Sequence, residues 1–148
     1  MTLVNIEKAT ENETDWLDEI IKREFPYTTF TPKKIEERLD NPKYSILIAK
    51  QGNILTGFIE IEWFLEKKEA RLNCIYVEDG FRDQGIGQSL VEQAVNECKH
   101  RKVQYLFLLV KTENAGAKHI YEKKGLKFEK MHNKIIDNSK VEVWGIEV

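Results

Sequence analysis

The sequence predicts an α/β fold with a mixed sheet. Three observations carry this. Strand-like and helix-like segments alternate along the chain, a pattern that favours layered α/β packing. Polar turns join three consecutive strand-like runs, residues 45–50, 54–64 and 70–77, into an antiparallel meander. An amphipathic helix over residues 85–100 then separates the third of these runs from a near-continuous apolar run at 105–110, which makes a strand–helix–strand unit with a parallel pairing. The 148 residues suit one domain of roughly 100–200 residues, so a single domain over 1–148 is expected.

Each element has a local reason. Residues 4–9 alternate weakly and can form a first strand. Glu11, Asn12, Glu13, Thr14 and Asp15 are an acidic, cap-rich helix start, followed by Trp16, Leu17, Ile20 and Ile21 on one face. Pro26 ends that helix, and Thr31-Pro32 starts another with a capping hydroxyl and a proline in the first turn. Ile35 and Leu39 give the second helix a narrow apolar stripe, and Asn41-Pro42 stops it. Gln51-Gly52-Asn53 and Glu66-Lys67-Lys68-Glu69 are turns of the meander. In its second strand Phe58, Glu60 and Glu62 alternate with Ile59, Ile61 and Trp63. Ile86, Leu90, Val91, Ala94, Val95 and Cys98 repeat at helical spacing. A short helix over 115–124 ends at Gly125, and strands at 128–136 and 141–148 are joined by Asp137-Asn138-Ser139.

Composition narrows the function. Hydrophobic residues make up 41% and charged residues 32% with both signs mixed, which fits a globular protein. A net charge of −2 leaves no basic footprint for nucleic acid. No apolar run approaches the roughly 18 residues of a membrane helix, and the first residues have no signal-peptide pattern, so a cytoplasmic protein is expected. Cys74 and Cys98 read as reduced, buried, small hydrophobes. His100, His119 and His132 share no metal-ligand spacing, so no metal is expected.

Two segments carry chemistry. Arg82-Asp83-Gln84-Gly85-Ile86-Gly87 lies between a strand and an amphipathic helix. Its glycines let successive amides turn into one concavity at a helix N-terminus, a natural seat for a pyrophosphate. Alone it is equally a tight turn. It is not a Walker loop, because no Lys-Ser/Thr follows Gly87, and it lacks the three spaced glycines of a dinucleotide fingerprint. Downstream, Asn114 can cap a helix on which Ala117 and Ile120 face the core with Tyr121 beside them.

Taken together and in this order, the segments resemble the GCN5-related N-acetyltransferase (GNAT) superfamily over essentially the whole chain. Residues 82–87 are similar to its acetyl-CoA loop, Arg/Gln-x-x-Gly-x-Gly/Ala. Asn114, Ala117, Tyr121, Glu122 and Gly125 are similar to its Asn-x-x-Ala-x-x-x-Tyr-Glu-x-x-Gly-Phe motif. Leu126 departs from the final phenylalanine, with Phe128 as a candidate to fill that core space. The resemblance implies a mostly antiparallel sheet of about seven strands with a splayed parallel pair and about four helices on both faces.

It also implies direct acetyl transfer from acetyl-CoA, a co-substrate, to an amine. The pantetheine arm would lie along Ile75, Tyr76 and Val77, the amides of Arg82, Asp83, Gln84, Gly85, Ile86 and Gly87 would hold the pyrophosphate, and Asn114 would touch the pantetheine. Tyr121 would be the general acid, its reference pKa of about 10 keeping it protonated at pH 7. A backbone N–H near Val77 would meet the charge developing on the thioester oxygen. The family's usual glutamates are missing. The strand leading to the glycine loop has Arg71 and Asn73 at the cleft-facing positions, and Leu109 stands where ribosomal-protein alanine N-acetyltransferases have a glutamate. Glu60 and Glu62 remain as base candidates, against the simpler reading of a solvated strand face. A weak base favours a low-pKa nucleophile. An α-amine, at about 7.7–8.0, is far more often neutral at pH 7 than a lysine at about 10.4. The expected acceptor is thus a peptide N-terminus or a small-molecule amine, and the expected state a monomer or homodimer. Lys118 points to solvent or to a CoA phosphate, and Trp16, Phe25, Tyr27 and Phe30 to an acceptor wall or the core. A noncatalytic acyl-CoA sensor on the same fold, or a nucleotide-binding module, would share the glycine loop.

Overall fold

The computed structural model describes residues 4–25, 32–136 and 138–148. Pro26, Tyr27, Phe30, Thr31 and Asp137, all named above, lie outside them.

A seven-stranded sheet forms the middle layer. Its strands are β1 (Asn5–Lys8), β2 (Tyr44–Gln51), β3 (Ile54–Phe64), β4 (Glu69–Val77), β5 (Tyr105–Lys111), β6 (Lys127–Ile136) and β7 (Ser139–Glu147), in the order β1-β2-β3-β4-β5-β7-β6. Every neighbouring pair is antiparallel except β4 and β5, which run parallel. That exception needs a crossover, and helix α3 (Ile86–His100) supplies it. The other α-helices among the described residues are α1 (Thr14–Glu24), α2 (Pro32–Asp40) and α4 (Ala115–Lys123). No described helix is long and apolar enough to cross a membrane.

Strand alternation sorts the core into two layers. Ile59, Ile61 and Trp63 of β3 face Leu90, Val91, Ala94 and Cys98 of α3, with Tyr121 and Leu126 in the same cluster. Phe58 of β3 faces the other way, onto Leu17, Ile20 and Ile21 of α1 and Ile35 of α2. Helices therefore cover both faces, as the resemblance implied.

Several expectations need correction. The acidic helix start is a separate 3-10 turn (Glu11–Glu13), because Thr10 and Glu13 close a capping box there, and α1 begins at Thr14. Phe128 does not fill the core space near Leu126. It is 50% exposed, whereas Leu126, 1% exposed, fills the space itself. Cys98 is buried as expected, but Cys74 is only partly so. Glu60 and Glu62 do not form a solvated strand face, since both are buried and ion-paired.

Candidate functional site

The parallel pairing of β4 with β5 stops at Leu72↔Leu108. Beyond that rung β4 continues to Val77 and β5 to Lys111, so the two strands part. The outer part of β4 keeps its partner on the other side, from Glu60↔Cys74 to Gly57↔Val77. A bulge there leaves Asn73 without a rung. The Glu78 N–H donates to the Thr56 carbonyl at 2.8 Å, just past the Gly57↔Val77 rung. Antiparallel alternation then turns the main chain of Tyr76 towards Phe58 of β3. The N–H and C=O of Ile75 and Val77 point instead into the gap between β4 and β5. The Val77 carbonyl accepts one bond, from Arg82 Nε at 3.0 Å.

A cavity of about 590 Å³ opens at this gap, within the range of small-molecule sites. Ile75, Tyr76 and Val77 form one wall. The start of α3 forms a second. Asp83 and Gly85 there have φ of 63° and 81° on either side of Gln84, whose φ is not positive. Alternation of this kind curls consecutive amides towards one point. The first helical bond runs from Ser89 N–H to Gly85 C=O at 3.0 Å. The amides of Ile86, Gly87 and Gln88 thus have no acceptor within the helix, and the dipole favours an anion beside them. Asp83, Gly85, Ile86 and Gly87 line the cavity with Arg82, whereas Gln84 does not. The Gln84 side chain instead accepts a 3.0 Å bond from Gln51 in the β2–β3 turn.

Helix α4 forms the third wall. Asn114 caps it, accepting the Ala117 N–H at 3.1 Å, and also lines the cavity. At the other end the Gly125 N–H reaches Glu122 C=O and the Leu126 N–H reaches Tyr121 C=O, each at 3.0 Å. With Gly125 at φ 92° this is a Schellman close, which fixes Tyr121 and Leu126 against each other. Gly87 lets α3 approach α4, because a Cβ there would lie 2.9 Å from Ile120 Cδ1. Tyr121 is 6% exposed and belongs to the core cluster; it is not among the lining residues. Lys118 is neither solvated nor at the cavity, since it pairs with Glu142 at 3.2 Å.

Glu60 and Glu62 lie together on the face of the sheet that α1 and α2 cover, and neither lines the cavity. Asn73, the bulge residue, donates through Nδ2 to Glu60 at 2.7 Å and to Glu62 at 3.1 Å. Arg38 of α2 pairs with Glu60 at 2.5 Å, and Arg71 and Lys43 pair with Glu62 at 2.9 and 3.4 Å. Burial pushes the Glu60 carboxyl above its ordinary value, and Arg38 and Asn73 only partly offset it. Burial pushes Glu62 up as well, but Asn73, Arg71 and Lys43 together outweigh it and hold that carboxyl below the usual range. The alternation of β3 put both glutamates on one face; it did not reveal Arg38, which comes from another element. Trp16 and Phe25 both pack edge-on against Phe58, at 6.0 and 6.5 Å, and Phe25 also lines the cavity. His119 and Lys123 also line the cavity, beyond the residues expected there. Their i, i+4 spacing on the helix that holds Ile120 was the available signal.

The sequence model of the Acetyltransferase (GNAT) family matches residues 12–126. A Bacillus subtilis (strain 168) protein named provisionally as a ribosomal protein bS18-alanine N-acetyltransferase is 30% identical over 90 residues, 61% of this chain. The match spans 58% of that relative's length. The solved ribosomal-protein-S18-alanine N-acetyltransferase of Escherichia coli superposes with a TM-score of 0.81 at 20% identity, covering 98% of this chain and 94% of that one. The PaiA N-acetyltransferase of Thermoplasma acidophilum, solved in complex with coenzyme A, superposes with a TM-score of 0.77 at 19% identity, covering 95% and 98%. At such identities these two likenesses concern the fold.

Proposed function

The chain belongs to the GNAT acetyltransferase family, and from that premise we propose that it transfers an acetyl group from acetyl-CoA directly to a primary amine. The observation that carries this is the meeting of three features in one cavity: a strand edge whose main-chain groups face no neighbouring strand, a bend of convergent amides and the capped start of α4. The diphosphate of CoA binds the amides from Asp83 to Gly87. Its pantetheine amides pair with the gap-facing groups of Ile75 and Val77, as an added strand would. Asn114 flanks the arm from α4.

In the reaction the amine nitrogen bonds to the thioester carbon, the carbon–sulfur bond breaks, and the sulfur leaves with the bonding pair. A main-chain N–H of β4 at Ile75 or Val77 meets the transient oxyanion. Tyr121 gives the departing sulfur its proton. It lies one turn beyond Ala117, a lining residue on the same side of α4, which supports that reach. Glu60 receives the amine's proton through water beside Asn73. Burial raises its pKa, which makes the carboxylate a stronger base than an exposed one. Glu62 stays ionised between Arg71 and Lys43.

The acceptor is an α-amine or another amine of low pKa, either a peptide N-terminus or a small molecule. The name of the Bacillus subtilis relative, an alanine N-acetyltransferase for ribosomal protein bS18, agrees with the peptide reading. The test is thiol release from acetyl-CoA with a panel of amines. Faster turnover of peptide α-amines than of matched lysine side chains supports the reading, and the reverse order overturns the acceptor class. A second reading, a noncatalytic acyl-CoA sensor, is favoured by one observation: Tyr121, Glu60 and Glu62 all stand off the cavity lining. Tight CoA binding without thiol release for any amine would select it.

A further inference from the structure

Coenzyme A carries anionic phosphate in two places, the diphosphate and the 3′-phosphate of its ribose. The amide bend at the start of α3 accounts for the first. We propose that His119 and Lys123, on the cavity face of α4, form a second anion subsite that takes the 3′-phosphate, so that the protein discriminates CoA from its 3′-dephosphorylated form. This rests on the acetyl-CoA reading above.

The cationic candidates lining the cavity among the described residues are Arg82, Lys123 and the imidazole of His119. Arg82 is committed elsewhere, donating to the Val77 carbonyl at 3.0 Å and pairing with Asp79 at 2.8 Å. Lys118 and Lys124, on the same helix and the residue after it, are also occupied, by Glu142 at 3.2 Å and Glu92 at 3.0 Å. Lys123 has no such carboxylate partner among the described residues. Gly116, His119, Ile120 and Lys123 all line the cavity, which is the i, i+3, i+4, i+7 face of one helix. A Cβ built on Gly116 would meet nothing within 4 Å, so that face is open to a ligand. The acidic lining residues, Glu24 and Asp83, come from α1 and the bend, not from α4. A ligand whose diphosphate sits on the amides of the bend therefore finds cationic side chains for its other phosphate on the wall made by α4.

Calorimetry with CoA and 3′-dephospho-CoA tests this on the wild type, Lys123→Gln, His119→Gln, the double variant and Lys124→Gln. The wild type is expected to bind CoA roughly tenfold or more tightly than dephospho-CoA, the scale of a charge-assisted phosphate contact. The double variant should bring the two ligands within about twofold by weakening CoA alone. Unchanged dephospho-CoA affinity would then show an intact cavity. Lys124→Gln should keep the wild-type ratio. The wild-type preference should also shrink as salt is raised. Equal affinities in the wild type, or full discrimination in the double variant, would overturn the subsite and leave the acetyl-CoA reading standing. Folded wild type that binds neither ligand would overturn both.

Discussion

Glu60, 1% exposed in the middle of β3, and Tyr121, 6% exposed on α4, are the residues on which the proposed proton transfers turn. Tyr121→Phe removes one hydroxyl and keeps the ring that packs against Leu126. It should lower kcat by about 10²–10⁴-fold with CoA affinity intact, measured by thiol release and calorimetry. Unchanged turnover would reduce Tyr121 to packing. For Glu60 the base form is the carboxylate, so the rate should rise as pH passes upward through its raised pKa. Glu60→Gln should lose that limb of the kcat profile as well as rate. Glu62 gives a stability effect of known sign. Its folded pKa lies below the ordinary 4.5, so its stabilisation is present above about 4.5 and is lost as pH falls through the depressed value. Melting temperatures between pH 3 and 6 should show a flatter acid limb in Glu62→Gln than in the wild type, apart from any uniform offset. The residue types at the site were legible because motif spacing fixes them. Their partners were not. Arg38 reaches Glu60 only because α2 packs on the sheet beside β2, a contact between distant segments that no local pattern encodes.

At the scale of elements, glycines mark where the backbone needs a hand that other residues resist. Gly85 holds φ 81° in the bend and Gly52 holds φ 62° in the β2–β3 turn. Alanine at either should cost about 1–2 kcal/mol of stability in urea unfolding. The two should differ in function: Gly85→Ala should also weaken CoA binding, whereas Gly52→Ala should not. Equal CoA affinity in both would argue that the bend is only a turn. The helices and strands themselves were readable from periodicity to within a few residues. The bulge at Asn73 was not, since it reflects how β4 meets β3 and leaves no trace in the hydrophobic pattern. The capping box that splits the first helix start was visible in principle, as Thr10 followed three residues later by Glu13.

For the whole molecule, the parting of β4 and β5 matters most. The parallel pairing was legible from the apolar run of β5, but the place where it stops follows from tertiary register. So does the exposure of Phe128, because β6 is the outermost strand and no described helix covers it. A ligand that binds only the folded protein stabilises it. CoA at about 100 times its Kd should add roughly 2.7 kcal/mol and raise Tm by about 5–10 °C in a thermal melt. The parted strands also have a kinetic signature. With the ligand absent, the Ile75 and Val77 amide protons have no strand opposite them and should trade with deuterium quickly, while the neighbouring Tyr76 proton, bonded to β3, stays slow. Adding the ligand should bring all three to similar protection, so that the molecule reports which of its lips has been closed.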